Sequence, residues 1–282
     1  MNRTMITATN TLAQLQKQMD IVSNNVANID TNGFKRREAN FTDLLFQQFN
    51  NGPGAPGAGD AGRLTLNGIR QGTGAKLAIS KIVMAQGNLK TTDRPLDMAL
   101  TAEGQVFRVL EQNDNGSAIR YTRDGAFYLT PISQNETMLV TGNGYPVLDE
   151  NDNPITINAQ ASNFALSETG RLTVDVPGGG TASYDLGISY VNKPQFLEQK
   201  GGNLLGLPEN MADLGVEAEE ILTELNGPLR NQIGIAQGRL EQSNVDLSKE
   251  MTELINLQRS YQFQSRSISM ADQMMGLVNG IR

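Results

Sequence analysis

The chain has 282 residues, 38% apolar and 19% charged, with a formal net charge of −7 and no cysteine, histidine or tryptophan. The acidic balance argues against nucleic acid, whose phosphates demand clustered lysine and arginine. The missing side chains exclude a Ser-His-Asp or Cys-His nucleophile and leave a zinc site with carboxylates alone.

No apolar run reaches the ~20 residues that a membrane helix needs. No basic stretch followed by an apolar block opens the sequence as a secretory leader would. The 29 glycines and 5% aromatic residues point to many turns and modest cores.

Residues 1 to about 29 are expected to form the first helix. Apolar side chains fall at Met5, Ala8, Leu12, Leu15, Met19, Val22, Val26 and Ile29. Those alternating steps of three and four are the seam of a helix that packs on another helix. Its polar face is mostly neutral amides: Asn10, Gln14, Gln16 and Gln18, beside Lys17 and Asp20. Amides suit a face buried against neighbouring subunits, where an unpaired charge is costly; plain solvation is the alternative. Next come Asn24, Asn25, Ala27, Asn28, Thr31, Gly33 and Phe34. Asparagine and glycine at this density predict a helix end and a sharp exit.

Residues 34–50 hold four of the nine phenylalanines and are expected as a short amphipathic helix or an extended arm. Gly52–Gly62 is Gly/Ala/Pro-rich and cannot build a core. It contains G-x-G-x-x-G at Gly52, Gly54 and Gly57, but Pro53 and Pro56 remove amide donors, so no nucleotide site is expected.

From Ala75 to about Leu225 the period becomes two. Asp114-Asn115-Gly116 marks a hairpin between Val106–Leu110 and Ile119–Tyr121. The acidic run Asp149–Asn153 lacks the glycine and glutamate that a calcium loop needs at its sixth and twelfth places, so it is expected as a solvated turn. Asn226-Gly227-Pro228 breaks any helix on the return path.

A second helix is expected from near Ser243 or Asn244 to about Val278, with Ser243 and Asp246 as a cap. Leu240, Leu247, Leu254, Tyr261, Ile268 and Met275 recur every seven residues, with Leu257, Ala271 and Val278 in the intermediate position.

The word SNNVANIDTNGFKR and the tail Leu240–Ser248 with Gln258–Gln262 resemble the signatures of the flagellar basal-body rod and hook protein family. Each lies at the terminus where that family carries it. FTDLLFQQ, the Gly/Pro insertion, Gly72-Thr73-Gly74 and Gln86–Leu89 are similar to the layout of its distal rod member. TTDRPLDMAL and YTRDGAFYLT resemble its β-domain, although Glu103–Phe107 departs from the family's Gly-Phe-Phe word.

The reading from sequence is an α+β chain. Terminal helices (1–34 and 240–282) pair as a coiled-coil stalk, arms (35–74 and 226–239) connect, and an antiparallel all-β outer domain spans 75–225. The resemblance implies a structural subunit of the distal rod that polymerises with itself. It also implies rod and hook proteins as neighbours, the export apparatus as a further partner, and a place in the basal body outside the cytoplasmic membrane. The packing residues are then Leu12, Leu15, Met19, Val22, Val26, Leu247, Leu254, Tyr261, Ile268 and Met275. The family motif is carried by Asn24, Asn25, Ala27, Asn28, Thr31, Gly33, Phe34, Ser243, Asn244 and Val245. No catalytic residue, cofactor, metal, nucleic acid or membrane insertion is expected. The alternative within the family is another rod or hook-basal-body component, and the rival from another class is a cell-envelope carbohydrate-cleaving enzyme using two carboxylates.

Overall fold

A computed structural model describes residues 2–43, 46–49, 69–72, 75–113, 116–208, 210–211 and 215–280. The Gly52–Gly62 insertion and the turn residues Asp114 and Asn115 lie outside the described residues. The protein is mixed α and β, with a long helix near each end and a β-rich central region. Chain contacts divide it into two compact units, the first made of Met1–Ser23, Ala39–Ser80 and Met251–Arg282, the second of Asn24–Glu38 and Lys81–Glu250.

The β-rich unit centres on an antiparallel six-stranded sheet in the order Glu198–Gly201, Leu204–Gly206, Gly116–Thr122, Gln105–Asn113, Ile188–Val191, Leu222–Glu224. Its longest pairing is the expected hairpin, in register from Phe107↔Thr122 to Asn113↔Gly116. Side chains alternate between the faces of a strand, and here the two faces serve two cores. Phe107 and Val109 join Met98, Phe127, Leu139, Leu172 and Leu186 in the larger core. Val106 and Tyr121 join Ile82, Val191, Leu205 and Leu222 in the smaller one. Phe107 packs edge-on against Phe127, with ring centroids 5.1 Å apart, so the departure at Glu103–Phe107 still delivers one phenylalanine to the core. Each fully buried side chain of this kind contributes about 1.5–3 kcal/mol.

Two three-stranded sheets flank these cores: Phe127–Pro131, Glu136–Thr141 and Thr156–Asn158, and then Ser162–Leu166, Arg171–Val176 and Gly180–Asp185. The acidic turn is an Asx turn, in which Asp149 Oδ1 accepts the Asn151 and Asn153 amides, both at 2.8 Å. Ile235–Gln237 pairs with Met98–Leu100, and Arg239–Glu241 with Leu89–Thr91. Residues 34–50 resolve toward the extended alternative, with strands Arg37–Asp43 and Phe46–Phe49.

The N-terminal helix runs Asn2–Ala27. The last turn tightens through Asn28 N to Asn25 O at 3.2 Å, and Asn28 Nδ2 donates to Asn24 O at 2.8 Å. These bonds occupy carbonyls that a helix end leaves without partners. The C-terminal helix runs Leu247–Gly280, a few residues later than the sequence suggests. Asp246 is its cap, with Oδ1 accepting Ser248 N at 2.9 Å and Lys249 N at 3.3 Å. Leu240, read as the first residue of the heptad row, is on a strand instead.

Candidate functional site

The motif residues from both ends of the sequence meet inside the β-rich unit, and they meet through polar atoms. Asn25 is 1% exposed. Its amide donates to Arg37 O at 3.0 Å and Glu250 Oε2 at 3.1 Å, and its carbonyl accepts Arg37 N at 3.0 Å. One side chain thus ties the end of the first helix, the strand after it and the start of the last helix. Asn244 does the same from the other side. Its Oδ1 accepts Arg36 N at 2.8 Å, and its Nδ2 donates to Val83 O and Ala85 O, each at 2.9 Å. Because Asn244 is spent on this joint, it is not free to cap the helix, and the cap passes to Asp246.

Gly33 makes the turn between them at φ +67, and its N–H donates to Glu241 O at 2.7 Å. A Cβ there would lie 2.4 Å from the Arg123 carbonyl carbon. Only glycine accepts both the left-handed conformation and that approach. Phe34 is buried beside the turn, while Asn24 and Ala27 are exposed and Asn28, Thr31, Ser243 and Val245 are half-buried.

Under the turn is a buried charge cluster. Glu241 Oε1 meets Lys35 Nζ at 2.7 Å and accepts Gly87 N at 2.8 Å. Glu241 Oε2 meets Arg123 Nε at 2.5 Å, and Arg123 also donates to Gln105 O at 2.6 Å and Leu100 O at 3.2 Å. Lys35 reaches Ala85 O at 2.8 Å. Burial holds the Lys35 pKa below its ordinary value, the Arg123 guanidinium adds to that, and Glu241 counters it. Lys35, Arg123 and Glu241 each lie in a stretch that resembles the family, but nothing in the sequence singles them out as buried or as partners, since each reads as an ordinary surface charge.

The helix faces are apolar. In the first unit Leu12, Leu15 and Met19 are half-buried and Val22 is buried. Val26, in the β-rich unit, is half-buried. On the last helix Leu254, Ile268 and Met275 are half-buried, whereas Leu247 and Tyr261 are exposed. Gln18 Nε2 donates to Glu253 Oε1 at 2.9 Å across the two helices.

A second apolar row on the last helix escaped the heptad reading: Met251, Ile255, Phe263, Met270, Met274 and Leu277, with Phe263 71% and Leu277 69% exposed. Its steps of three, four, seven and eight residues keep it on a different side from Leu257, which is buried. The helix is therefore apolar on two sides, and one of them is bare. The step-four series Leu247, Met251, Ile255 was the available signal. No described helix is long and apolar enough to cross a membrane.

Comparison with known proteins agrees with the terminal motifs. Residues 5–35 match the family described as flagella basal body rod protein, and residues 236–281 match the flagellar basal body rod FlgEFG protein C-terminal family. Residues 101–174 match the flagellar hook protein FlgE/F/G D1 domain. The chain is 44% identical to the flagellar hook-basal body complex protein FlhP of Bacillus subtilis over 284 residues, covering 100% of both chains. It is 34% identical to the flagellar basal-body rod protein FlgG of Buchnera aphidicola over 261 residues, 92% of each chain. It is 31% identical to FlgG of Bacillus subtilis over 282 residues, covering 98% of this chain and 97% of that one.

Proposed function

This chain belongs to the flagellar basal-body rod protein family, and from that premise we propose that it is a distal rod subunit polymerising through its terminal helices into a rigid axial shaft. The family is structural, not enzymatic, and its place is the flagellar basal body. The chain is accordingly a structural rod component, assembled with other rod and hook proteins.

On our reading the helices pair as a coiled coil, and Gln18–Glu253 together with the half-buried seams supports that pairing. The seams Leu12, Leu15, Met19, Val22, Val26 and Leu254, Ile268, Met275 face each other or a neighbouring copy, while Leu247 and Tyr261 await a neighbour. The asparagine-glycine motif joins the helical segments 1–34 and 240–282 to the β-rich residues 75–225 through the arms 35–74 and 226–239. The chain reaches its place through the flagellar export apparatus.

The observation that carries polymerisation is the bare row Met251, Ile255, Phe263, Met270, Met274 and Leu277. A contiguous exposed apolar patch of this kind marks an interaction surface. A contact between unlike patches whose rotation does not close into a ring extends into a helical filament, and that is the geometry we propose here. Phe263→Asp with Met274→Asp tests this. Both residues are exposed, so the thermal midpoint should hardly move, because surface substitutions change stability by about 0.5 kcal/mol or less. Purified basal bodies should lack the variant, and cells depending on it should not swim. Normal incorporation and motility would remove the bare row as the assembly surface.

A second reading, another hook-basal-body component, draws on the 44% identity with a hook-basal body complex protein. Locating a tagged chain along purified basal bodies by electron microscopy separates the two positions.

A further inference from the structure

The chain has 11 methionines and no cysteine, so the thioether is its only sulfur group. Thioethers are soft, and two-electron oxidants convert them to sulfoxides. Exposure separates these methionines sharply. Met251, Met270 and Met274 are 46%, 58% and 53% exposed, and all three stand in the bare row of the last helix. The other methionines whose side chains are described, from Met5 to Met275, are buried or half-buried. Met98, in the larger core, is fully buried. Among the described residues, the methionines open to an oxidant in solution therefore lie on one side of one helix.

Oxidation would change the character of that row. A hydroperoxide transfers one oxygen to Sδ: a sulfur lone pair forms the S–O bond, the O–O bond breaks, and the peroxide leaves as water or an alcohol. The sulfur is oxidised by two electrons and the peroxide is reduced by two. A flexible apolar side chain becomes a polar one. Met270 and Met274 are four residues apart and so are neighbours on the helix surface, with Phe263 and Leu277 exposed in the same row. In the free chain water hydrates each sulfoxide, and the fold is untouched. Against an apolar neighbour the same oxygen loses its hydration and gains no donor, which is costly.

We propose that Met251, Met270 and Met274 are an oxidative modification site whose co-substrate is a hydroperoxide, and that oxidation there bars a free subunit from assembly. Once the row is covered the same sulfurs are shielded, so subunits are sorted before they are built in and not after. The selectivity of oxidation depends on exposure alone, whereas its effect on assembly rests on the polymer reading above.

Purified full-length chain treated with hydrogen peroxide, then digested and read by mass spectrometry, gives a sulfoxide rate for each methionine. Met251, Met270 and Met274 should oxidise about tenfold faster than Met98 or the half-buried Met138. In purified basal bodies that contain the chain, the three should slow by about tenfold. Met251→Gln with Met270→Gln and Met274→Gln sets a polar side chain at each place while keeping helix propensity. Its incorporation into basal bodies should fall about tenfold or more, with the thermal midpoint of the monomer unchanged. The same three positions changed to leucine keep volume and apolarity, and incorporation should stay near the native level. Equal oxidation of all methionines in the monomer, a glutamine chain that incorporates as well as the leucine chain, or a leucine chain excluded as strongly as the glutamine chain overturns the proposal and leaves the polymer reading intact. Three methionines that oxidise as fast in basal bodies as in the monomer show the row uncovered there and overturn both.

Discussion

The buried cluster at Glu241 makes a prediction in which two substitutions of neighbouring charges behave differently. Lys35, Arg123 and Glu241 sum to one positive charge in a site where the Glu241 side chain is 0% exposed. Glu241→Gln removes the carboxylate that both cations meet and leaves the two cations facing each other. Breaking a buried ion pair in this way costs about 3–5 kcal/mol. For a unit of this size each kcal/mol shifts the midpoint by roughly 2–4 °C, so the thermal midpoint should fall by roughly 6–20 °C.

Lys35→Met does the reverse. It removes the charge that burial already disfavours, and no acceptor is orphaned. Ala85 O keeps Asn244 Nδ2, and Glu241 keeps Arg123 Nε and the Gly87 amide. A change of similar volume should cost less than about 1.5 kcal/mol. The pH dependence separates the two as well. The native Lys35 pKa lies below 10.5 because of burial, so on raising pH the folded chain releases that proton before the unfolded chain does. The unfolded state then holds more protons, and stability rises through the window between the lowered pKa and 10.5. Lys35→Met abolishes that rise. Urea unfolding of the purified monomer followed by circular dichroism, at neutral and at alkaline pH, reads both effects. Equal costs for the two substitutions would refute the charge accounting.

Two further substitutions probe the same unit. Gly33→Ala should lose at least about 2 kcal/mol, or roughly 4–8 °C in the midpoint, because the left-handed backbone and the Arg123 carbonyl both oppose a Cβ; an unchanged melt would mean the turn relaxes freely. Asp124→Asn addresses acid behaviour. Burial raises the Asp124 pKa above 3.8, the Ala126 amide partly counters this, and Asp97 adds to the rise. As pH climbs from 3.8 through the raised value, the unfolded carboxyl ionises first and stability is lost. The asparagine variant should escape that loss, unfolding at a higher midpoint at neutral pH and at nearly the native midpoint below pH 3.8.

The sequence speaks clearly where a pattern is local. The hairpin turn Asp114-Asn115-Gly116 is legible because two-residue turns of this type need positive φ, and the strands beside it pair as expected. The period-two runs name the β-rich region for the same reason. The start of the last helix lies a few residues later than the sequence suggests because Asn244 is bound to Arg36, and of the expected pair Ser243 and Asp246 it is Asp246 that accepts the first helical amides. The phenylalanine-rich segment after the first helix left helix and strand both open, since its spacing fits either, and strands won there. The heptad on the last helix drew attention to one side and concealed the bare row on another, because a helix apolar on two sides gives no single period. The charge cluster was illegible for a deeper reason: Lys35 and Glu241 are 206 positions apart, and only the fold reveals that they are buried together.

That separation has a consequence in time. Synthesis runs from the N-terminus at about 5–20 residues per second, so roughly ten to forty seconds pass between the appearance of Lys35 and that of Glu241. Asn244 and Glu250 follow later still. Until they arrive, Asn25, Lys35 and the Arg36 amide lack their partners from the end of the chain, Glu250, Glu241 and Asn244, and contacts spanning so much chain form late in any case. A growing chain is therefore held open by its own connectivity, and the joint can close only when almost all of the protein exists.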